Sequence, residues 1–296
     1  MVKIRVPAST SNLGSGFDCF GLALKLYLTV EMDFSGSLEI SAVGEGCTEI
    51  PKDETNLFYQ SAQKIFNKVG KQRPGLKIKI ENRIPLSRGL GSSGAAIIAG
   101  LVGASKLAGI QLTNEEILNL ANDIEGHPEN AAAALLGGLT INCVSDGRVL
   151  SKKIFVAENL RAVLVIPELR ISTHEARNIL PRTVTREDAV FNLQRSALLA
   201  HAFIAKDYPV LKTAMQDRLH QPFRKHLIPS YDVFEHAGYQ NGALGVCISG
   251  SGSAILGIVE SPGQKLQRAW QSLADQLNLP ARVLITEFEN RGAEIG

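Results

Sequence analysis

Gly89-Leu90-Gly91-Ser92-Ser93-Gly94 sets three glycines and two hydroxyls directly before a run of small residues, Ala95 to Ala108, that reads as a helix. Amides freed by glycine can turn inward, and a helix N-terminus behind them adds positive potential, so the segment is a ready anion site that suits phosphate. Taken alone, the same residues also read as a plain Gly-Ser turn. The spacing satisfies G-x-G-x-x-G, but a dinucleotide site is excluded by context. The preceding strand, Leu76 to Glu81, is half solvated, Pro85 intervenes, and Glu115, at about the distance of a ribose ligand, falls in the first turn of a helix. There is no Walker A loop. Glu125 ends an amphipathic segment beside Gly126, where a hard carboxylate suits Mg²⁺ bridging nucleotide phosphates and where a solvated helix end is equally consistent. His127-Pro128-Glu129 begins like a zinc deaminase but has no P-C-x-x-C partner, and no G-x-S-x-G elbow occurs. Two more glycine loops, Gly14-Ser15-Gly16 and Gly250-Ser251-Gly252, are expected to join the first around a phosphorylated ligand.

The elements that must position these residues follow from periodicity. Residues 2–6, 24–32 and 37–43 read as strands, with the Ser-, Gly- and Asn-rich stretch Pro7 to Gly21 as a loop. A helix is predicted over 56–69, with Thr55 as its cap and Gly70 as its stop. Strand 76–81 and the small-residue helix 95–108 follow, then a capping box, Thr113 to Glu116, that opens helix 114–125. Pro128 opens a short helix to Leu136, and strand 139–144 ends at an Asp146-Gly147 hairpin turn. The second half reads as strand 162–166, helices near 173–180, 186–206, 208–218 and 230–240, strands 243–249 and 253–259, helix 263–277 and strand 281–287. Without its extra helices this is β-α-β-β-α-β, a ferredoxin-like succession. The division predicted is an N-terminal domain, 1–155, and a C-terminal domain, 156–296, in an α+β fold.

Composition narrows the partners. The 296 residues carry 31 Lys and Arg against 29 Asp and Glu, with the basic residues scattered, so no nucleic-acid footprint is present. The uncharged run that could suggest a membrane segment, Gly89 to Ser105, is rich in Gly and Ser and shorter than the roughly 20 apolar residues of a membrane span. The N-terminus lacks a signal-peptide block, and the four cysteines are widely spaced, which points to buried reduced thiols in the cytoplasm and to no His or Cys metal site.

Three ordered motifs carry a family resemblance: Pro7-Ala8-Ser9-Thr10-Ser11-Asn12-Leu13-Gly14-Ser15-Gly16-Phe17-Asp18, Pro85-Leu86-Ser87-Arg88-Gly89-Leu90-Gly91-Ser92-Ser93, and Ile248-Ser249-Gly250-Ser251-Gly252. In this order they resemble the galactokinase, homoserine kinase, mevalonate kinase and phosphomevalonate kinase (GHMP) family over nearly the whole chain. Glu125-Gly126-His127-Pro128-Glu129-Asn130, Ser172 to Arg177, and Pro222-Phe223-Arg224 before Ile228-Pro229 are similar to the branch whose substrate is L-homoserine.

The resemblance implies a GHMP kinase-like fold: an N-terminal ATP-binding α+β domain with a left-handed crossover and a C-terminal ferredoxin-like domain, with the active site between them. It implies ATP-dependent phosphorylation of L-homoserine to O-phospho-L-homoserine in threonine biosynthesis, by a cytoplasmic enzyme that forms a homodimer; the alternatives are a sister kinase for another small alcohol and a noncatalytic family member. The loop Pro85, Ser87, Arg88, Gly89, Leu90, Gly91, Ser92 and Ser93 would bind ATP, with Asn56 near the adenine, and Ser92 or Ser93 with Glu125 would hold Mg²⁺. Asn12, Asp18, His127, Asn130, Arg177 and Arg224 would contact the amino acid, Asp18 facing its ammonium and the arginines its carboxylate. Where some relatives carry a carboxylate base, Ser172 and Thr173 stand here, so direct attack of the substrate hydroxyl, held by Thr173 and Asn130, is expected, with Asp18 the second choice of base. Departures from the family pattern are Glu129 for Asp, Ala131 to Ala134 for Val-Ala-Pro-Ala, and Gly94 for Ala.

Overall fold

The computed structural model describes residues 1–70 and 75–296. The first sheet grows around a long antiparallel pair, β1 (Val2–Ser11) and β2 (Phe20–Phe34), which runs past the predicted strand ends and brackets the loop between them. β3 (Glu39–Gly44) lies parallel to β4 (Leu76–Asn82), joined to it through the helix α1 (Leu57–Lys68). The period-two pattern of β4 is realised as read: Leu76, Ile78 and Ile80 are buried while Lys77, Lys79 and Glu81 face water. Thr55 does not cap α1. Its hydroxyl turns back to Asp53 Oδ1 at 2.5 Å, and Asn56 becomes the cap, its Oδ1 accepting from the Tyr59 amide at 3.2 Å.

α2 (Ser92–Ala108) begins three residues before its predicted start and is buried along most of its length. Its small residues are a packing requirement. A Cβ at Gly100 would lie 2.4 Å from the Phe58 carbonyl oxygen, and one at Gly103 would lie 2.7 Å from Ile4 Cδ1, so α1 and β1 approach α2 where a larger side chain would block them. α3 (Asn114–Glu125) opens on the predicted capping box and ends at Gly126. α4 (Glu129–Leu136) then leads into the hairpin β5 (Leu139–Ser145) and β6 (Arg148–Ile154).

The second sheet holds β7 (Leu160–Pro167), and its chain continues through α5 (Thr173–Asn178) and α6 (Arg186–Ala205). The helix predicted over 208–218 is broken: a single 3₁₀ turn, Tyr208–Val210, precedes α7 (Leu211–Ala214), and a turn at Asp217 leads into the four-residue α8 (Gln221–Arg224). The cause is Asp217, whose carboxylate accepts from the amides of Leu219, His220 and Gln221 and so competes with helical bonding. α9 (Tyr231–Gln240), β8 (Gly245–Ile248), β9 (Ile255–Glu260), α10 (Gln264–Gln276) and β10 (Ala281–Thr286) follow. The sheet is antiparallel, in the order β10-β7-β9-β8, and gives the β-α-β-β-α-β succession read from the sequence.

One face of this sheet packs Phe234 and Trp270 from α9 and α10, while Leu164, Cys247 and Leu256 on the other join the core of the first sheet. The apolar runs of β7 to β9 are thus covered on both sides. After β10 the chain returns to the first half, where β11 (Glu294–Ile295) pairs with Ile4 and Arg5 of β1. A two-residue strand leaves no periodic signal to read. Cys247 is the buried cysteine; Cys19 and Cys47 are half-buried, and Cys143 is exposed, contrary to the expectation of a buried thiol. Among the described residues, no helix is long and apolar enough to cross a membrane.

Candidate active site

The loop between β4 and α2 is bent where glycine permits it. Gly89 and Gly91 have φ of 71° and 68°, and a Cβ there would lie 1.9 Å from the Ser249 carbonyl oxygen and 2.0 Å from Ser9 Oγ, respectively. That close approach joins two of the three glycine loops: Ser249 Oγ donates to the Gly89 carbonyl at 2.6 Å, and the Gly250 amide donates to Ser11 at 3.2 Å. The third loop does not take part. Gly14 to Gly16 docks on the helices of the second half, with Ser15 Oγ donating to Ala214 at 2.7 Å and Ser196 Oγ donating to Ser15 at 2.6 Å. From its flank, Asn12 donates to the Gly250 carbonyl at 2.9 Å and accepts from the Asp18 amide at 3.0 Å.

A cavity of about 390 Å³ lies where the two sheets meet, and every site residue named from the sequence lines it except Pro85, which is buried outside its wall. At one end, Gly89 to Ser93 and the start of α2 face Glu125. Ser93 Oγ donates to Glu125 Oε1, while Glu125 Oε2 is buried with no partner in the described residues. Burial pushes this carboxyl above its usual range, against the pull of His127 and the Ser93 hydrogen bond. His127 Nδ1 lies 3.0 Å from Glu129 Oε1. Burial disfavours the imidazolium, but Glu129 and Glu125 outweigh it and raise the His127 pKa. Asn130 is oriented from both ends of its amide, accepting from Ser9 Oγ at 2.9 Å and donating to Ser11 Oγ at 3.1 Å.

Arg177, Arg224 and Asp18 line the same cavity. Arg177 binds Asp18 in a fork, at 3.0 and 2.7 Å, so the two side chains expected to meet a ligand separately neutralise each other. Arg224 is almost wholly buried and donates from Nε to Ala176 at 3.1 Å and from Nη1 to Gly250 at 3.0 Å. Burial, and then the charge of Arg177, push its pKa down to about 10, which leaves it a cation at neutral pH.

Two predicted binders have other engagements. Arg88 directs all three guanidinium nitrogens at the carbonyls of Pro167, Leu86 and Glu168, so it ties the loop to the end of β7. Asn56 uses its amide to cap α1 and to hold Pro51, and meets the cavity as part of its wall. Sequence reasoning passed over Glu129, which is buried in the lining beside His127, and Phe17, whose ring lies 5.6 Å from the Arg177 guanidinium and 5.1 Å from that of Arg224. Both stand inside motifs already quoted; nothing in their spacing marks them.

The Glu125 carboxyl gives a stability prediction. An acid whose pKa is raised in the folded state favours folding while protonated, below its ordinary value of 4.5, and loses that advantage as pH rises through the raised value. At pH 7 the raised carboxyl therefore works against the fold. Glu125→Gln is expected to raise the unfolding midpoint at pH 7 by about 2 °C for each kcal/mol relieved, and to have little effect near pH 4. Calorimetry at both pH values checks this, and an equal midpoint at pH 7 would place the carboxylate in water.

Residues 56–138 match the family model of the GHMP kinases N terminal domain and residues 199–276 that of the GHMP kinases C terminal domain. The chain belongs to the GHMP kinase family. Within it, the similarity to homoserine kinases runs end to end: 40% identity to that of Desulfitobacterium hafniense over 298 residues, covering 100% of both chains, and 40% to that of Aquifex aeolicus over 296 residues, covering 100% of this chain and 99% of the other. The homoserine kinase structure from Cytophaga hutchinsonii superimposes with a TM-score of 0.89 at 28% identity, covering 100% of this chain and 97% of that one. A mevalonate kinase structure, at 18% identity, shares the fold with a TM-score of 0.71, covering 98% of this chain and 100% of its own.

Proposed function

We propose that this kinase transfers the γ-phosphoryl group of ATP to the side-chain hydroxyl of L-homoserine, releasing ADP and O-phospho-L-homoserine. The observation that carries this reading is the set of charges that line one cavity: a phosphate loop beside the Glu125 carboxylate, and a guanidinium pair with the Asp18 carboxylate. A zwitterion matches the second group, its carboxylate taking Arg177 and Arg224 and its ammonium taking Asp18, so that the Asp18–Arg177 pair is exchanged for two ligand pairs of the same sign pattern. A neutral sugar alcohol offers nothing to exchange.

Binding at that end directs the substrate hydroxyl toward the loop. Thr173 is the hydroxyl at the start of α5 with no partner among the described residues, since Ser172 caps that helix by accepting from the Glu175 amide at 3.1 Å. Thr173 and the fixed amide of Asn130 hold the nucleophile, and the loop amides hold the phosphates, so the rate comes from positioning and charge neutralisation without a side-chain base. The residues fit a divalent cation. Glu125 Oε2 is a buried carboxyl oxygen with no partner among the described residues, and the Ser93 hydroxyl adjoins the same carboxyl, which is the kind of hard oxygen donor that Mg²⁺ takes. Mg²⁺ there would neutralise phosphate charge.

The expected result with ATP, Mg²⁺ and L-homoserine is one ADP per O-phospho-L-homoserine by ³¹P NMR, abolished by EDTA. Full turnover without a divalent cation would remove the role given to Glu125, and ADP release without the phosphate ester would remove the reaction.

A further inference from the structure

His220 lies outside every motif from which the site was read, and the proposed transfer does not use it. It is fully buried, and its ring nitrogens have different partners. Nε2 lies 2.8 Å from the carbonyl oxygen of Gly14, which can only accept, so Nε2 carries the proton. Nδ1 is then an acceptor, and Arg224 Nη1 stands 3.3 Å from it. Burial holds the imidazole below its usual range, with the charge of Arg224 acting the same way and that of Asp217, 3.5 Å from Nε2, acting against it. The ring stacks on Phe17 at 5.1 Å, and the Asp217 carboxylate fixes the turn that carries it.

Arg224 is thereby directed on three sides. Nε serves Ala176, and the hydrogens of Nη1 serve Gly250 and His220; Nη2 has no partner among the described residues and belongs to a side chain that lines the cavity. The Gly250 carbonyl also accepts from Asn12 at 2.9 Å, and Gly14 belongs to the turn between Asn12 and Asp18.

We infer that His220 is a positioning residue for substrate selection: as the Nε2–H tautomer, set by the Gly14 carbonyl, it fixes the plane of Arg224 so that Nη2 is presented to the amino-acid carboxylate. The inference rests on the reading that Arg224 meets that carboxylate.

Two amides separate the contacts. In His220→Gln the side chain keeps a donor near the Nε2 position and loses the acceptor at Nδ1; in His220→Asn the acceptor stays and the reach to Gly14 is lost. His220→Gln is expected to raise the KM for L-homoserine by about tenfold, with kcat and the KM for ATP within about twofold, because one charged hydrogen-bond contact has lost its orientation. With 3-aminopropan-1-ol, the same chain without the carboxylate, the loss in kcat/KM should not exceed about twofold. His220→Asn should recover the homoserine KM to within about threefold of native. A native KM in His220→Gln, or equal losses on both alcohols, would overturn the inference. Should His220→Gln fail to fold, His220→Phe takes its place, keeping the stack on Phe17 without an acceptor: a homoserine KM equal to that of His220→Asn overturns the proposal, and a KM about tenfold higher supports it. Arg224→Ala keeps the underlying reading apart. A native homoserine KM there would remove the reading itself, whereas a raised KM there beside a native KM in His220→Gln would remove only the role of His220.

Discussion

Glu125→Gln is expected to lower kcat by about a thousandfold while leaving the KM for L-homoserine within about threefold of native. The carboxylate stands at the phosphate end of the cavity, at the rigid end of α3, with one oxygen on Ser93 and the other unpartnered. The contacts proposed for the carboxylate and ammonium of the amino acid are made by Arg177, Arg224 and Asp18, so ground-state binding of homoserine depends mainly on those side chains. Neutralising the transferred group does, and losing several kcal/mol of transition-state stabilisation gives the stated factor. The same substitution is expected to stabilise the ligand-free fold, so its effects on activity and on unfolding should have opposite signs. A variant with native kcat would make Glu125 a structural helix end.

Arg224→Ala is the second large effect. A charge-assisted hydrogen bond is worth roughly 1.5 to 3 kcal/mol, so the KM for homoserine should rise by about ten- to a hundredfold while the KM for ATP stays near native. The discriminating substrate again lacks the carboxylate, as 3-aminopropan-1-ol or a homoserine ester does, and on it the variant should lose little. Arg224→Lys should recover only part of the loss, since lysine keeps the charge without the fork. If Arg224→Ala harms the carboxylate-free substrate as badly as homoserine, the side chain serves the phosphoryl group or the fold, and the carboxylate clamp is wrong.

Both predictions use residues that could be picked out before any coordinates, and the reasons are physical. Glycines at 89 and 91 are needed where backbone meets backbone, and the alternation in β4 and the capping box of α3 are local patterns that tertiary packing reinforces. What the sequence does not show depends on partners distant along the chain. Gly14 to Gly16 has the composition of a ligand loop, yet its partners, Ala214, Asn192 and Ser196, belong to the other half of the chain. Thr55 and Asn56 are both good caps, and only the bond from Thr55 to Asp53 decides between them. Arg88 reads as a phosphate ligand until the carbonyls at the end of β7 are in place around it. The Asp18–Arg177 fork joins residues 159 positions apart and cannot be read from either motif, though each motif was noticed. His220 is the extreme case, because a lone histidine carries no pattern at all.

The central claim is that the charged end of the cavity selects a zwitterionic alcohol. ADP release measured on one preparation with ATP, Mg²⁺ and a panel of L-homoserine, mevalonate, galactose and shikimate tests it most directly. The account predicts that homoserine supports turnover with a kcat/KM at least about a hundredfold above the others, since only it supplies a carboxylate and an ammonium together. Turnover of mevalonate, galactose or shikimate with none of homoserine would contradict it.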